Sequence, residues 1–506
     1  MNSLNKNYAL LAESMQCWEK MADFRAKRER CKRYCYGDQW GDTIAVDGKK
    51  MREEQYIRLQ GNEPLKNNLI RRLVKQVLGL YRSERLSTVL QTADKRLIQP
   101  VSEMLENERE ANYTRELDAR ALEEFLISGM AVQRKTFGLR DSDHGIRTDN
   151  VHLGRFFIDT LSGDCRGWDV ELLGEIHDLR MDALLAMFAQ SPADIRELSE
   201  IYRVGDYQER LFQMLDQWGQ PSRVMPDFLR PSTPGLCRVI EVWRKERRQG
   251  ILHHDRDNGV LHWVDVSCLS CAEMHGSLSV ETQWHYYYLT PFGDIITHGV
   301  SPYAHGAHPY VVKAYPFIDG EIHSFVDDVI DQQRYTNRLI TLYDWVMRSS
   351  AKGVLLVPEE CIPDGSSIED IAEEWAHFNG VIPVRTRNTG VLPHQVSANA
   401  VNIGINELLQ TQLNFMEDIS GVTGALQGKM ASASVSGKLF EQQTHNATLS
   451  QLDLLDTFRH FIHDGMKKEL SLLQQFSSDT MLRNYLPDDE ISTFRQSVFR
   501  LTTSKS

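Results

Sequence analysis

The order of patterns between Glu321 and Ile419 constrains this chain more than any other feature. Phe325, Val326, Val329, Ile330, Leu339, Ile340, Tyr343, Val346 and Met347 fall at helical spacing and predict a helix ending near Ala351. At about 1.5 Å per residue, such a helix is roughly 40 Å long. The runs GVLLVP, IEDIAEEWAHF and VIPVRT then read as strand, helix and strand. A second helix follows from about Asn399 to Ile419. The expected geometry is two helices carrying a small α/β tip.

The flanking regions have different characters. Residues 1–36 read as a helix, broken by the Gly/Asp-rich cluster from Gly37 to Asp42. Leu69, Ile70, Leu73, Val74, Val77, Leu78 and Tyr81 predict a helix after Pro64, and a third spans about residues 95–128. From 130 to 320 the chain turns to short β-branched or aromatic runs: AVQRKTFGL, VIEVWRKERR, GVLHWVDVS, WHYYYLT and YVVKAY. Turn signals such as Asp257-Asn258-Gly259 separate them, and a helical insert at 180–217 interrupts them. After Ile419 comes a small-residue loop, GVTGALQGKMASASVSG, and then a long helical run over about 436–476, where Gly465 marks a possible kink. The fold class is α+β, and no internal repeat is visible.

Charge and composition narrow the function classes. Lys and Arg total 57 against 70 Asp and Glu, a net charge of −13. Proteins that coat nucleic acid are usually basic, so this balance argues against that role while leaving open DNA handling without tight grip. No window approaches 18 uninterrupted apolar residues, so no membrane span is expected, and the N-terminus lacks the apolar core of a signal peptide. The eight cysteines are read as reduced thiols.

Chemical motifs mostly fail. A phosphate-binding P-loop needs Gly five residues before a Gly-Lys pair and Ser or Thr after it. Gly428-Lys429 has Thr423 and Met430 at those places, and Gly437-Lys438 has Ser432 and Leu439. Cys268 and Cys271, near His262 and His275, have zinc-like spacing but lack a second pair, and a β-turn flanked by small residues accounts for them. Asp141/Asp143 and Asp255/Asp257 do not continue into a calcium loop, so they read as hairpin turns. Asp327, Asp328 and Asp331 crowd a helix start, where acids suit the positive end of the dipole; together they also leave open a metal-dependent nucleic-acid enzyme. Two basic stretches are candidate phosphate contacts or plain charged faces: Arg25, Lys27, Arg28, Arg30, Lys32 and Arg33, and Arg244, Lys245, Arg247 and Arg248. No catalytic residue, metal site or cofactor is expected.

The order of elements, with several local patterns, resembles the portal proteins of tailed double-stranded DNA bacteriophages over nearly the whole chain. The patterns are Tyr36-Gly37-Asp38-Gln39-Trp40, then Asn67-Asn68-Leu69-Ile70 with Val77-Leu78-Gly79 and Arg82, and the strand Val239–Trp243. They continue with Ser301–Tyr310, Asp327–Asn337, Ser420-Gly421-Val422, and Ser436-Gly437 before Gln442-Gln443. The resemblance implies a portal-type multi-domain subunit: an α+β wing (1–320), a first stem helix (321–351), a small α/β clip (352–398) and a second stem helix (399–421). A tunnel loop (422–437), a kinked wing helix (438–464) and a short crown (465–506) complete it.

The same resemblance implies a ring, usually of twelve subunits, at one capsid vertex of the virion, assembled in the host bacterial cytoplasm. Double-stranded DNA would pass through its channel during packaging and ejection. The implied partners are the terminase large subunit, which carries the ATPase, head–tail adaptor proteins, and the major capsid or scaffold protein, with no membrane. Gln427, Lys429, Ser432 and Ser434 would face DNA from the tunnel loop, and Glu373, Glu374, Arg385 and Arg387 would meet partners from the clip. The excess acid is expected to line the channel, leaving few basic contacts such as Lys429. Another head–tail connector is the remaining alternative, although such adaptors are usually much shorter chains.

Overall fold

The computed structural model describes residues 6–506 except 84–85, 141–142, 160–162, 204–209, 212, 215–226, 256–259, 266–275, 353, 359–360, 364, 377–381, 383–393, 397–403, 423–448, 450 and 506. The fold is α+β, as the sequence pattern requires. The chain divides into two compact units, Met1–Lys32 with Leu73–Asp328 and Gly424–Ser506, and Arg33–Arg72 with Val329–Thr423.

The first unit is organised on an antiparallel sheet. Its central strand, Cys237–Asp255, pairs along nearly its whole length with Gly276–Leu289, which in turn pairs with Ile295–Val300. On the other side its first half pairs with Leu172–Leu179, and that strand with Phe156–Ile158. Its far half pairs with Val260–Asp265, closing a hairpin across Asp255 and Val260. From Cys237 to Trp243 every residue is buried, whereas from Arg244 on the strand is partly exposed. Burial on both faces explains why VIEVW shows no polar alternation. The register sets Trp243 between Leu173 and Tyr286, in a core shared with Leu10, Leu11 and Met15 of the helix Tyr8–Lys20 and with Phe156, Phe157 and Phe228. A second sheet orders Asp143–Asn150, Met130–Arg140 and Tyr310–Ala314, with the helices Thr114–Ser128 and Leu452–Phe476 packed on it.

The insert expected over 180–217 contains helices Met181–Phe188 and Pro192–Ile201. Ser191 and Asp194 cap the second reciprocally, side chain to backbone in both directions, as a capping box does.

Three helices differ from the sequence reading. The stretch 1–36 is two helices, Tyr8–Lys20 and Ala22–Tyr36, because the buried Met21 closes the first with its N–H on the Cys17 and Trp18 carbonyls. The stretch 95–128 is also two, Ile98–Ala111 and Thr114–Ser128, separated at Tyr113 with φ +50°. Neither break carries Gly or Pro, so periodicity alone runs through both. Gly465 does not interrupt Leu452–Phe476. A Cβ there would stand 3.2 Å from Lys135 Cε, so this glycine admits the buried lysine stem rather than a bend. The tail also holds a strand, Arg500–Lys505, which pairs with Leu86–Gln91.

In the second unit the expected helix runs Asp327–Lys352, entering the unit at Val329. The tip contains the strands Val354–Leu356 and His394–Val396, paired antiparallel, and the helix Ile368–Ala376. Ser367 and Asp370 cap that helix, Asp370 N–H donating to the Ser367 hydroxyl at 3.1 Å and Ser367 N–H to the Asp370 carboxylate at 2.7 Å. Except for Ile382, the run VIPVRT lies outside the described residues. The second expected helix is Ile405–Ser420, ended by Gly421 at φ +64°.

Candidate functional site

Gln427, Lys429, Ser432, Ser434, Arg385 and Arg387 lie outside the described residues, as do Cys268, Cys271 and His275. Glu373 and Glu374 sit on the tip helix Ile368–Ala376, together with Glu369 and Asp370, so this helix is strongly acidic. Glu373 is exposed and Glu374 is half-buried.

The second unit gives the scattered sequence patterns a common cause. Gln333, Asn337 and Thr341 recur every four residues and so form one row of the helix Asp327–Lys352. Their side chains take the backbone N–H groups of Leu69 (3.0 Å), Asn67 (3.2 Å) and Leu65 (3.2 Å), three donors that have no helix or sheet to satisfy them. Gln333 also donates to the Asn67 carbonyl at 2.7 Å. Asn337 donates to Gln39 Oε1 at 2.7 Å, and Gln39 donates onward to Asn68 Oδ1 and to the Tyr34 carbonyl, both at 3.1 Å. The segments YGDQW, NNLI and DQQRYTN are therefore three sides of one buried amide network. Glu53, also buried, adds ion pairs to Arg334 and Arg338.

Beyond that row the same helix turns apolar side chains outward. Leu342, Tyr343, Trp345 and Met347 are exposed, Trp345 at 51%. Leu408, Phe415 and Ile419 are exposed on the returning helix Ile405–Ser420. Helices that end in a solvated surface normally present polar residues there, so this face is suited to contact with another protein surface.

The first unit buries charge. Lys135 Nζ meets Glu469 Oε1 at 2.6 Å, and Arg109 bridges Glu469 at 2.8 Å and Asp118 at 2.7 Å. Burial alone would raise the Glu469 carboxyl, but Arg109 and Lys135 bring it down to about 2. A second cluster joins Glu175, His177 and Glu241, whose ligand-type atoms converge within 4.8 Å, the one such three-residue group among the described residues. Arg134 stands 3.1 Å from Glu241 Oε2, His177 Nε2 lies 2.8 Å from the same oxygen, and Trp243 Nε1 donates to Oε1 at 2.7 Å. Against the raising effect of burial, Arg134, His177 and Trp243 hold the Glu241 carboxyl down at about 2. Arg134 already supplies the counter-charge a metal would bring, so the cluster is an ion network of the sheet.

The other candidates resolve similarly. Asp327 starts its helix with its N–H on the Ser324 hydroxyl at 2.9 Å, and burial beside Asp327 pushes the Asp328 carboxyl up. Within the basic stretches, Arg28 forms a two-pronged pair with Glu124 at 2.6 and 2.8 Å, Arg33 pairs with Asp42, Arg244 with Glu13 and Arg247 with Glu171. These cations serve the fold before any phosphate. None of the described cysteines forms a disulfide, and no helix is long and apolar enough to cross a membrane.

No curated protein matches the chain. The family model of the phage P22-like portal protein matches residues 12–484, nearly the full length. The chain belongs to the phage P22-like portal protein family.

Proposed function

We propose that this chain forms a ring at a single capsid vertex of a phage particle, a structural channel for DNA packaging and ejection and a platform for the terminase large subunit and head–tail adaptors. The family match over residues 12–484 carries this reading. The exposed apolar face of Leu342, Tyr343, Trp345 and Met347 supports it, because a ring subunit must pack against a neighbour on both sides. In this reading Asp327–Lys352 and Ile405–Ser420 are the stem helices and the tip between them is the clip. The acidic helix bearing Glu373 and Glu374, with Arg385 and Arg387, meets the packaging and tail partners. The capsid or scaffold protein surrounds the wing.

The loop 422–437 faces DNA through Gln427, Lys429, Ser432 and Ser434, with Lys429 its single charge. A conduit must release its cargo, and neutralising many phosphates produces adhesive, salt-dependent complexes, so one lysine per subunit on an acidic background suits passage. Negative-stain microscopy of the purified chain tests the assembly: rings with a central hole, of about twelve subunits, are expected. Monomers at every concentration and salt condition would overturn it. Lys429→Ala is expected to leave rings intact and to change DNA packaged per particle; loss of rings would make the loop structural instead.

A further inference from the structure

Within the first unit lies a cavity of about 980 Å³ whose lining includes His305, His308, Lys245, Lys468 and Trp284. His305 Nδ1 accepts the Ala307 N–H at 3.1 Å, which fixes the proton of the neutral ring on Nε2. That Nε2–H is buried and has no acceptor. His308 Nδ1 is likewise buried without a partner, its ring held edge-on to Trp284 at 4.8 Å between centroids. Lys468 donates to the backbone carbonyls of His308 and Tyr310, which accounts for two of its three N–H bonds and leaves the third direction unspent. Lys245 Nζ stands 5.2 Å from the Trp284 ring centre.

Buried polar atoms in folded proteins are almost always partnered, so a buried donor that faces a roomy cavity is placed to take an acceptor from it, water or solute. The surroundings say which sign it carries. Burial lowers the His305, His308 and Lys468 ionisations, and the bases depress one another: Lys468 acts on both histidines, and His305 and Lys245 act on His308. The acid that offsets this at Lys468 is Asp464, which is shared with Lys313 at 3.1 Å and Lys467 at 3.6 Å. At Lys245 the offsetting acids are Glu171, shared with Arg247, and Asp169, and its Nζ also donates to the Trp168 carbonyl at 2.8 Å, so the acids nearest these bases are divided among several cations. None of the basic groups is needed by the ring or the DNA path proposed above.

We propose that this end of the cavity is a binding site for a small oxyanion of the phosphate class, held by His305 Nε2–H, the third N–H of Lys468 and the field of Lys245. The site is a property of the single chain and does not rest on the portal reading. Calorimetric titration of the full chain with inorganic phosphate, at ionic strength matched with chloride, tests it. Saturable binding of one phosphate per chain is expected, weakened at least tenfold in Lys468→Met and in His305→Phe. Should either buried variant fail to fold, Lys245→Gln, on the partly exposed strand, is expected to weaken phosphate about threefold while keeping the native melting temperature. Binding no tighter than chloride, or equal phosphate affinity in the wild-type chain and the folded variants, overturns the proposal.

Discussion

Removing the ammonium of Lys135 from water is unfavourable by several kcal/mol unless a partner and further hydrogen bonds replace the lost solvent. Glu469 at 2.6 Å and Thr148 at 3.1 Å do so, and Gly465 leaves the room through which the lysine stem passes. Lys135→Met strands Glu469 with half its counter-charge and is expected to destabilise the protein by about 3–5 kcal/mol, read from urea unfolding at pH 7. The pH dependence follows from the Glu469 carboxyl, which sits at about 2 in the folded protein against an ordinary 4.5. A depressed carboxyl contributes stability above its unfolded value, and that contribution fades as pH falls from about 4.5 towards 2. Glu469→Gln should therefore flatten the acid limb of the stability curve over this window and lower the plateau above it.

At the scale of the element, Gly129 shows how a helix end and a chain crossing share one position. It closes Thr114–Ser128 with φ +79°, and a Cβ there would come within 2.6 Å of the His323 carbonyl oxygen. Gly129→Ala is expected to cost about 1–3 kcal/mol from the left-handed backbone alone, with the clash added, measurable as a lowered melting temperature. Elements such as this were legible where periodicity is strong and punctuation is residue-coded. The strands around VIEVW and WHYYYL, the first strand and the helix of the tip, and the helices Asp327–Lys352 and Ile405–Ser420 were readable in that way, whereas the tip strand His394–Val396 lies beyond the run VIPVRT that the pattern marked. The helix breaks at Met21 and Tyr113 were not, because neither carries Gly or Pro: Met21 is buried, and Tyr113 is exposed but held in the left-handed region at φ +50°. The strand Arg500–Lys505 was hidden because its partner Leu86–Gln91 lies at the far end of the sequence, where no local pattern records the pairing. The polar candidates fared differently: YGDQW and NNLI were visible as motifs, but their role as amide partners of Gln333 and Asn337 needed coordinates.

At the scale of the whole molecule the surface of the long helix decides between a self-sufficient subunit and one that needs neighbours. Trp345 and Met347 are about half exposed, so replacing them removes little internal packing. The double variant Trp345→Ser/Met347→Ser is expected to melt at the wild-type temperature yet to lose ring assembly by sedimentation velocity. Rings retained with an unchanged melt would place the subunit contact elsewhere. The net charge of −13 belongs to this scale too. It argues against a protein that clings to DNA, and in the proposed channel an acidic lining would repel the duplex and keep it moving.

The two compact units are interleaved along the chain, which passes from one to the other at 32/33, 72/73, 328/329 and 423/424. The order of synthesis then matters. Lys135 leaves the ribosome 334 residues ahead of Glu469, the carboxylate that neutralises it, and Leu86–Gln91 waits still longer for Arg500–Lys505. The first unit can close only after Lys505 has been made, so a nascent chain that stops before Glu469 carries a buried-type lysine short of its nearest counter-ion and an unpaired strand edge. The fold itself thereby registers whether the polypeptide has been made as far as its last described strand.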